Sequence, residues 1–408
     1  MGGILFLAHR VPFPPNRGDK IRAHHLLKEL ASIGPVHVGC FAESDEDRAG
    51  GLDLSKVATS QRVVNRKKPL VLAGLEAVVS GKPVSLTAFR SAALDNWVRD
   101  TIASQDITAI VVFSGQMGQY VPEDFAGRVV IDLCDVDSAK FEGYAAAGQR
   151  VWLNKREGQL LAEQEENLAR RADATILISE AEAALFKSRM ALPSMANVQV
   201  VGNGIDAAFF DPQTTQPQPE ISARPGPHFV FTGQMDYSPN ETAALWAFEH
   251  FLPAIRAQFP AAELHIVGRN PTKKLLAYEG MDGLTIWGEV PDVRPFIAAA
   301  TCVVAPLLIA RGVQNKVLEA MAMAKPVLLT PEAATGIDAK DGQQWMLCQA
   351  DAKAMCQKIA ELLDGVDNAS AMGKAARKFV LDHHDWGAML SPLRRLVSGH
   401  ELEASHAA

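Results

Sequence analysis

The stretch APLLIARGVQNKVLEAMAMAKPVLLT, Ala305–Thr330, decides how the rest of the chain is read. It opens on the end of an apolar run, Thr301–Ala305, with the character of a buried strand. A loop carrying Arg311 and Gly312 follows, then helical spacing over Asn315–Ala324, then a second apolar run, Val327–Leu329. Strand, loop, helix and strand in so few residues is the repeating unit of parallel sheets. The first turn of the expected helix holds Gln314, Asn315 and Lys316. Its free N–H groups, with two cations nearby, suit a diphosphate. Glu319 lies one turn further on. It is either half of a surface Lys–Glu pair, worth about 0.3–0.5 kcal/mol, or a carboxylate that accepts hydrogen bonds from the two hydroxyls of a ribose. The small apolar stripe Ala320–Ala324 marks a buried helix, and a buried carboxylate needs partners that a ligand can supply.

Outward from this stretch the same rhythm recurs. Towards the N-terminus of the second half, His228–Thr232, Glu263–Val267 and Leu284–Trp287 read as strands and Asn240–Ala257 as a helix. The first half repeats the pattern, with strands over Ile4–Ala8, Val36–Phe41, Ile107–Phe113, Val129–Leu133 and Ala174–Ile178. Helical spacing covers Asp19–Ile33 and Lys155–Arg171. Between the halves, Asp211–Pro227 (DPQTTQPQPEISARPGP) has no apolar period and reads as a linker or long surface loop. The expected organisation is a first domain over 1–210, a linker over 211–227, a second domain over 228–385, and a C-terminal helix and tail over 386–408. Two doubly wound α/β halves place a ligand in the crevice at the strands' C-terminal ends.

Bulk properties fit this division. The chain has 408 residues, beyond one ordinary core. Its net charge of −7 argues against a general nucleic-acid binder. Five cysteines, odd in number and without metal-ligand spacing, read as reduced thiols of a cytoplasmic protein. The opening run ILFLA stops at His9-Arg10, too short for a signal peptide or a membrane span. The expectation is a soluble chain, with attachment to the inner face of a membrane left open.

Other loops at strand ends are candidates for the same crevice. After the first strand, Arg17, Gly18 and Asp19 open a helix in HRVPFPPNRGDKIRAHHLLKEL, where Gly18 lets a ligand approach the backbone and Lys20 and Arg22 add positive charge. A tight turn with solvated charges explains the same residues, and GxGxxG is absent. In IDLCDVDSAKF, Asp135 and Asp137 form a DxD that either holds a divalent metal or lines the crevice; crevice lining is preferred, and no metal is assigned. Ser138 and Lys140 suit hydroxyls or phosphate. Ser114 and Gln116 follow a buried strand, Asn203-Gly204 marks a turn, and Gly233 and Gln234 in FTGQMDYSPN repeat the layout of the first loop.

These motifs together resemble the family 4 retaining glycosyltransferases of the GT-B fold over essentially the whole chain. The resemblance is carried by PFPPNRGDKIRAHHLLKEL, RRADATILIS, NGID, IVGRNP and LEAMAMAKPV. The wording FTGQMDYSPN, IARGVQNKVLEAMAMAKPV and IDLCDVDSAKF is more narrowly similar to sugar transferases of exosortase (PEP-CTERM) exopolysaccharide systems. The resemblance implies two Rossmann-like domains facing across a cleft, acceptor on the N-terminal side and nucleotide sugar on the C-terminal side. It implies retention of anomeric configuration, no metal and no cofactor beyond the nucleotide-sugar co-substrate. Glu319 matches the second acid of the family's E-x7-E motif, which holds the ribose. The first acid falls at Arg311, a departure from the pattern at the position that contacts the donor sugar. The cation pair common after the first strand of the second domain is missing from GQMDYSPN, so Arg311 and Lys316 would supply the charge. The family's histidine after the strand at Val129–Leu133 is missing too, and Asp135 is the nearest match.

The expected reaction is transfer of a sugar from a nucleoside diphosphate donor to a carbohydrate or lipid-linked acceptor. Asp135, Arg311 and Lys316 are its expected catalytic groups. Gly18, Gly233, Gln234, Gly312, Gln314, Asn315, Lys316 and Glu319 would bind donor, and Arg17, Asp19, Ser114, Gln116 and Asp137 would line the acceptor side. The competing readings are a nucleotide-sugar epimerase, a DxD metal-dependent transferase, and a non-catalytic nucleotide-sugar-binding partner.

Overall fold

A strand whose residues are buried end to end sits inside a sheet covered on both faces. Gly3–Ala8 (β1), Val36–Ala42 (β2) and His228–Thr232 are of this kind, with every residue buried. The computed structural model describes residues 2–146, 148–310, 312–365 and 367–399.

The chain divides into two compact units. The first comprises the residues up to Asn203 and those from Met389 on, and the second Gly204–Ala388. In the first unit Ser60–Asn65 (β3), Ile107–Phe113 (β4), Arg128–Cys134 (β5), Ala174–Leu177 (β6) and Val198–Val200 (β7) join β1 and β2. The sheet order is β3-β2-β1-β4-β5-β6-β7, all parallel. In the second unit His228–Thr232 (β8), Glu263–Val267 (β9), Leu284–Gly288 (β10), Cys302–Ala305 (β11), Val327–Leu329 (β12) and Met346–Leu347 (β13) run β10-β9-β8-β11-β12-β13, again all parallel. Each order reverses once, between β1 and β4 and between β8 and β11. A doubly wound sheet leaves its crevice at those reversals.

The strands expected from apolar runs are all present, several with the expected bounds. The edge strands β3 and β7 escape a search for apolar runs because their residues are only partly buried or exposed. The helix expected over Asn240–Ala257 is one helical run in three parts: Ser238–Trp246, a π turn over Ala247–Phe251, and Leu252–Arg256. Pro253 lies just past the wide turn and has no N–H to return to the preceding turn. The segment expected as a linker, 211–227, lies within the second unit. There Ile221, on a short helix Pro219–Ser222, is fully buried, and the Gln218 N–H donates to the Pro295 carbonyl. Polar composition concealed one apolar anchor. No described helix is long and apolar enough to cross a membrane.

Two charges expected near a ligand are instead structural. Lys20 Nζ meets the Asp47 carboxylate at 2.9 Å, both buried, and Asp47 also closes the capping box of the helix Asp45–Leu54 with Ser44. Arg22, 2% exposed, meets Asp132, 0% exposed, at 2.8 Å. Its remaining N–H groups donate to the carbonyls of Val201 and Gly202 and to Asn203 Oδ1. The turn at Asn203-Gly204 is thus fastened from its Asn side by Arg22. Removing one member of such a pair strands the other charge. Arg22→Ala should therefore lower unfolding stability by about 3–5 kcal/mol, read as a lower urea midpoint at unchanged slope. A midpoint like the wild type's would contradict this role.

Candidate functional site

In the second unit the reversal point gathers residues from three loops. β8 ends in Thr232, and Gly233 follows at φ +157°. Its neighbour across the sheet, Gly268, follows β9 at φ +151°. A Cβ on Gly268 would stand 1.6 Å from the Gly233 carbonyl oxygen, so the two glycines allow the loops to touch. Gly268→Ala should cost on the order of 3 kcal/mol and displace the Gly233 loop with it. A melting temperature and donor binding like the wild type's would contradict that packing.

The helix Asn315–Ala322 begins beside this loop, with Gln314 as its N-cap residue. Lys316, on the first turn, donates from Nζ to Asn240 Oδ1 at 2.5 Å and lies 4.5 Å from the centroid of the Phe231 ring. Asn240 in turn donates from Nδ2 to the Gln234 carbonyl. A Cβ on Gly233 would sit 3.0 Å from the Lys316 ammonium, so glycine there lets the backbone close on the cation. Burial pushes Lys316 down to about 8, with Glu319 opposing the shift. Burial pushes Glu319 up to about 7, with Lys316 opposing in turn. The Glu319 carboxylate has no hydrogen-bond or ion-pair partner among the described residues. A desolvated cation and a desolvated acid with unused acceptors therefore stand on one helix start, where N–H groups face outward.

Several other donor-side expectations fall here. Gly312 has φ +68°, and Gln314 Nε2 donates to its carbonyl at 3.1 Å. Asn315 is exposed at the helix's first position. The Gln234 side chain accepts from Arg269 Nη2 at 2.7 Å. Arg269, after β9 in IVGRNP, is a cation beside this loop to which the sequence assigns no role. Arg311, expected as a catalytic group, lies outside the described residues.

In the first unit the reversal between β1 and β4 is marked by His9, which stacks on Phe113 with centroids 5.5 Å apart. His9 Nε2 faces Asp19 Oδ2 at 3.2 Å, and its buried Nδ1 has no hydrogen-bond partner. Arg10 donates to the same Asp19 oxygen at 2.5 Å and to Glu43 at 2.8 Å, and Arg17 reaches the other Asp19 oxygen at 2.8 Å. Burial alone would raise Asp19, but hydrogen bonds from His9 and Arg10 and their charges hold it far below the usual carboxylate range. Asp19 and Arg17 are thus joined, and Gly18 between them has open space where a side chain would be. His9 and Arg10 are functional candidates that sequence reasoning passed over. Their signal was a His-Arg pair placed directly after the first strand.

Strain marks the ends of β4 and β5. Ser114 has φ +79° and Cys134 φ +65°, a left-handed backbone that non-glycine residues seldom hold without cause. Ser114 Oγ donates to Gln116 Oε1 at 2.7 Å, so these two candidates hold each other. Asp137 begins the helix Asp137–Ala146, with Lys140 at 3.8 Å. Desolvation raises the Asp135 carboxyl, and Glu182 and Asp137 add to the effect. Desolvation also raises Asp137, against the pull of Lys140 and His9. Ser138 is buried and spent on Glu165, donating from N at 3.0 Å and from Oγ at 2.6 Å, so it is not available to a substrate.

Among the described residues, one trio has metal-ligand spacing: His228, Glu263 and His265, at the N-terminal edge of the second sheet. Its ring nitrogens are already committed. Trp287 Nε1–H donates to His265 Nδ1 at 3.3 Å, which leaves the neutral ring's proton on Nε2, 3.2 Å from His228 Nδ1. His228 Nε2 then donates to the Arg224 carbonyl at 3.1 Å. A metal on His265 Nε2 would put a proton on Nδ1 facing the indole N–H, donor against donor. Asp135 and Asp137 belong to no such trio among the described residues.

The second unit's loops and strands match a known family. Residues 226–365 fit the profile of the glycosyl transferases group 1 family. They are a glycosyl transferase group 1 domain. This domain contains β8 to β13 and the Gly233–Lys316–Glu319 constellation, and it makes the chain a glycosyltransferase. No curated protein sequence matches the chain. Solved structures share the fold over nearly the full length. Sucrose-phosphate synthase from Thermosynechococcus elongatus is 18% identical, covering 98% of this chain and 99% of its own, with a TM-score of 0.59. Anabaena HepE, solved with UDP and glucose, is 15% identical, covering 98% and 100%, with a TM-score of 0.61. A glycosyltransferase from Rickettsia africae is 13% identical, covering 98% and 99%, with a TM-score of 0.60. The glycosyltransferase thus has the expected α/β architecture of two doubly wound Rossmann-like domains, the GT-B fold.

Proposed function

We propose that the chain transfers a glycosyl group from a nucleoside diphosphate sugar to a carbohydrate or lipid-linked acceptor, with retention of configuration and without a metal. The observation that carries this reading is Glu319 beside Lys316: an acid with unused acceptors and a half-buried cation at the start of one helix. In this reading Lys316 and the N–H groups at the start of Asn315–Ala322 hold the diphosphate. Negative charge grows on its β-phosphate as the anomeric C–O bond breaks, and a cation already partly stripped of water stabilises it with little reorganisation. Glu319 takes the ribose hydroxyls, Gly233 gives room for the phosphates, and Arg311 supplies further charge. The N-terminal unit takes the acceptor, with His9, Asp19, Ser114, Gln116, Asp135 and Asp137 as its polar lining. The narrower likeness of its motifs to exosortase-associated transferases supports a role in bacterial exopolysaccharide assembly on the cytoplasmic side.

UDP-sugars lead the candidates because HepE, similar in fold, was solved with UDP and glucose. In a thermal-shift screen of UDP-, GDP- and ADP-sugars, one class should raise the melting temperature, since a ligand bound only by the folded state stabilises it by mass action. With that donor and an oligosaccharide or lipid-linked acceptor, nucleotide release should continue in excess chelator, and product NMR should show the donor's anomeric configuration. Loss of release in chelator would move the reading to a DxD metal-dependent transferase. Interconversion of donor without acceptor would move it to an epimerase.

A further inference from the structure

The helix Leu70–Ser80 (LVLAGLEAVVS) in the first unit is apolar on the side it turns to solvent. Leu70, Val71, Leu72, Leu75, Val78 and Val79 are all more than half exposed, and Val79 reaches 89%. Only Ala73 and Ala77 are buried against the unit. At about 100° per residue, the six exposed side chains cover an arc of about 200° that contains no polar residue, Gly74 being its only other member. A monomeric soluble protein seldom leaves such a patch open without use.

Charge selects the occupant. Over residues 61–90 the sequence carries six cations and one acid, Glu76, in a chain whose net charge is −7. Glu76 is itself neutralised by Lys68 and Arg90. Lys67 and Lys82 flank the helix at its two ends, both exposed and without an ion-pair partner among the described residues. Beside the helix, Arg156 donates to the carbonyls of Ala77 and Lys82. Trp152, 70% exposed, lies one turn earlier on the same face of Val151–Arg171. An apolar arc with basic ends and an exposed tryptophan beside it is the pattern of a helix lying in a bilayer interface. Its 11 residues span about 16 Å, half of the ~30 Å hydrocarbon thickness, so it lies in the surface rather than crossing. A protein partner would need hydrogen-bonding groups to fix its register, and the arc offers none.

We propose that the helix Leu70–Ser80, with Lys67, Lys82 and Trp152, docks the first unit onto an anionic lipid bilayer. The inference does not depend on the donor site. Its test is flotation of the full chain with phosphatidylcholine vesicles and with vesicles that also contain phosphatidylglycerol. The wild type should float with the anionic vesicles. Val71→Glu and Val79→Glu, both at exposed positions, should abolish flotation while melting as the wild type does. Lys67→Gln and Lys82→Gln should each weaken anionic binding about fivefold, and added salt should weaken it further. A wild type that stays in solution with both vesicle types would overturn the proposal, as would a Val79→Glu variant that floats unchanged. So would a soluble wild-type dimer that Val79→Glu turns into a monomer while neither binds vesicles. That result would assign the face to a second copy of the chain.

Discussion

Lys316→Ala is expected to reduce donor turnover by about 10²–10³ with little change in unfolding stability. The two effects separate because the ammonium is already desolvated in the folded chain. Burial pushes it down to about 8, so removing it relieves a desolvation cost as it loses the Asn240 hydrogen bond. In the transition state that loss is not made good from the second unit's first loop, GQMDYSPN, which brings no cation of its own. Arginine should not rescue the activity. Its planar fork is wider than an ammonium, and Asn240, the Phe231 ring and Gly233 already close on Nζ. Steady-state nucleotide release and a urea melt on the same preparations check both halves. A variant that keeps wild-type turnover removes Lys316 from the chemistry.

Glu319→Gln is expected to weaken donor binding more than tenfold and, at the same time, to raise the stability of the free protein near pH 8. The sign follows from linkage. Burial lifts the folded-state carboxyl to about 7, above its ordinary value of 4.5. Between those values the folded chain holds a proton that the unfolded chain has released, so stability falls as pH rises through that window. Above it, the wild type carries a desolvated carboxylate that glutamine avoids. Near pH 4 the carboxyl is protonated in both states and the two proteins should melt together. Melting temperatures of both proteins between pH 4 and 8 test the sign. A variant that melts below the wild type at pH 8 would mean that the carboxylate stabilises the free chain rather than waiting for a ligand.

The sequence made the two sheets legible because parallel strands are buried on both faces and leave apolar runs. It hid β3 and β7, whose edge positions leave them half exposed. It misassigned Lys20, Arg22 and Ser138 because their partners are remote in sequence: Asp47, Asp132 and Glu165 lie 27, 110 and 27 residues away. A charge near a glycine looks the same in sequence whether a phosphate or a distant carboxylate answers it. The Lys316–Glu319 pair was legible because both residues sit on one helix turn, where spacing alone fixes proximity. His9 was not, because its meaning depends on Phe113, which the pairing of β1 with β4 brings to it, and on the fold of the loop that returns Asp19 to its ring.

The most direct measurement of the central claim is a calorimetric titration of the best nucleotide sugar into the wild type, Lys316→Ala and Glu319→Ala. The account predicts one donor per wild-type chain and at least a tenfold weaker fit in each variant, with the nucleoside diphosphate alone losing affinity in parallel. Equal affinity in all three proteins would contradict it and place the donor away from the start of the helix Asn315–Ala322.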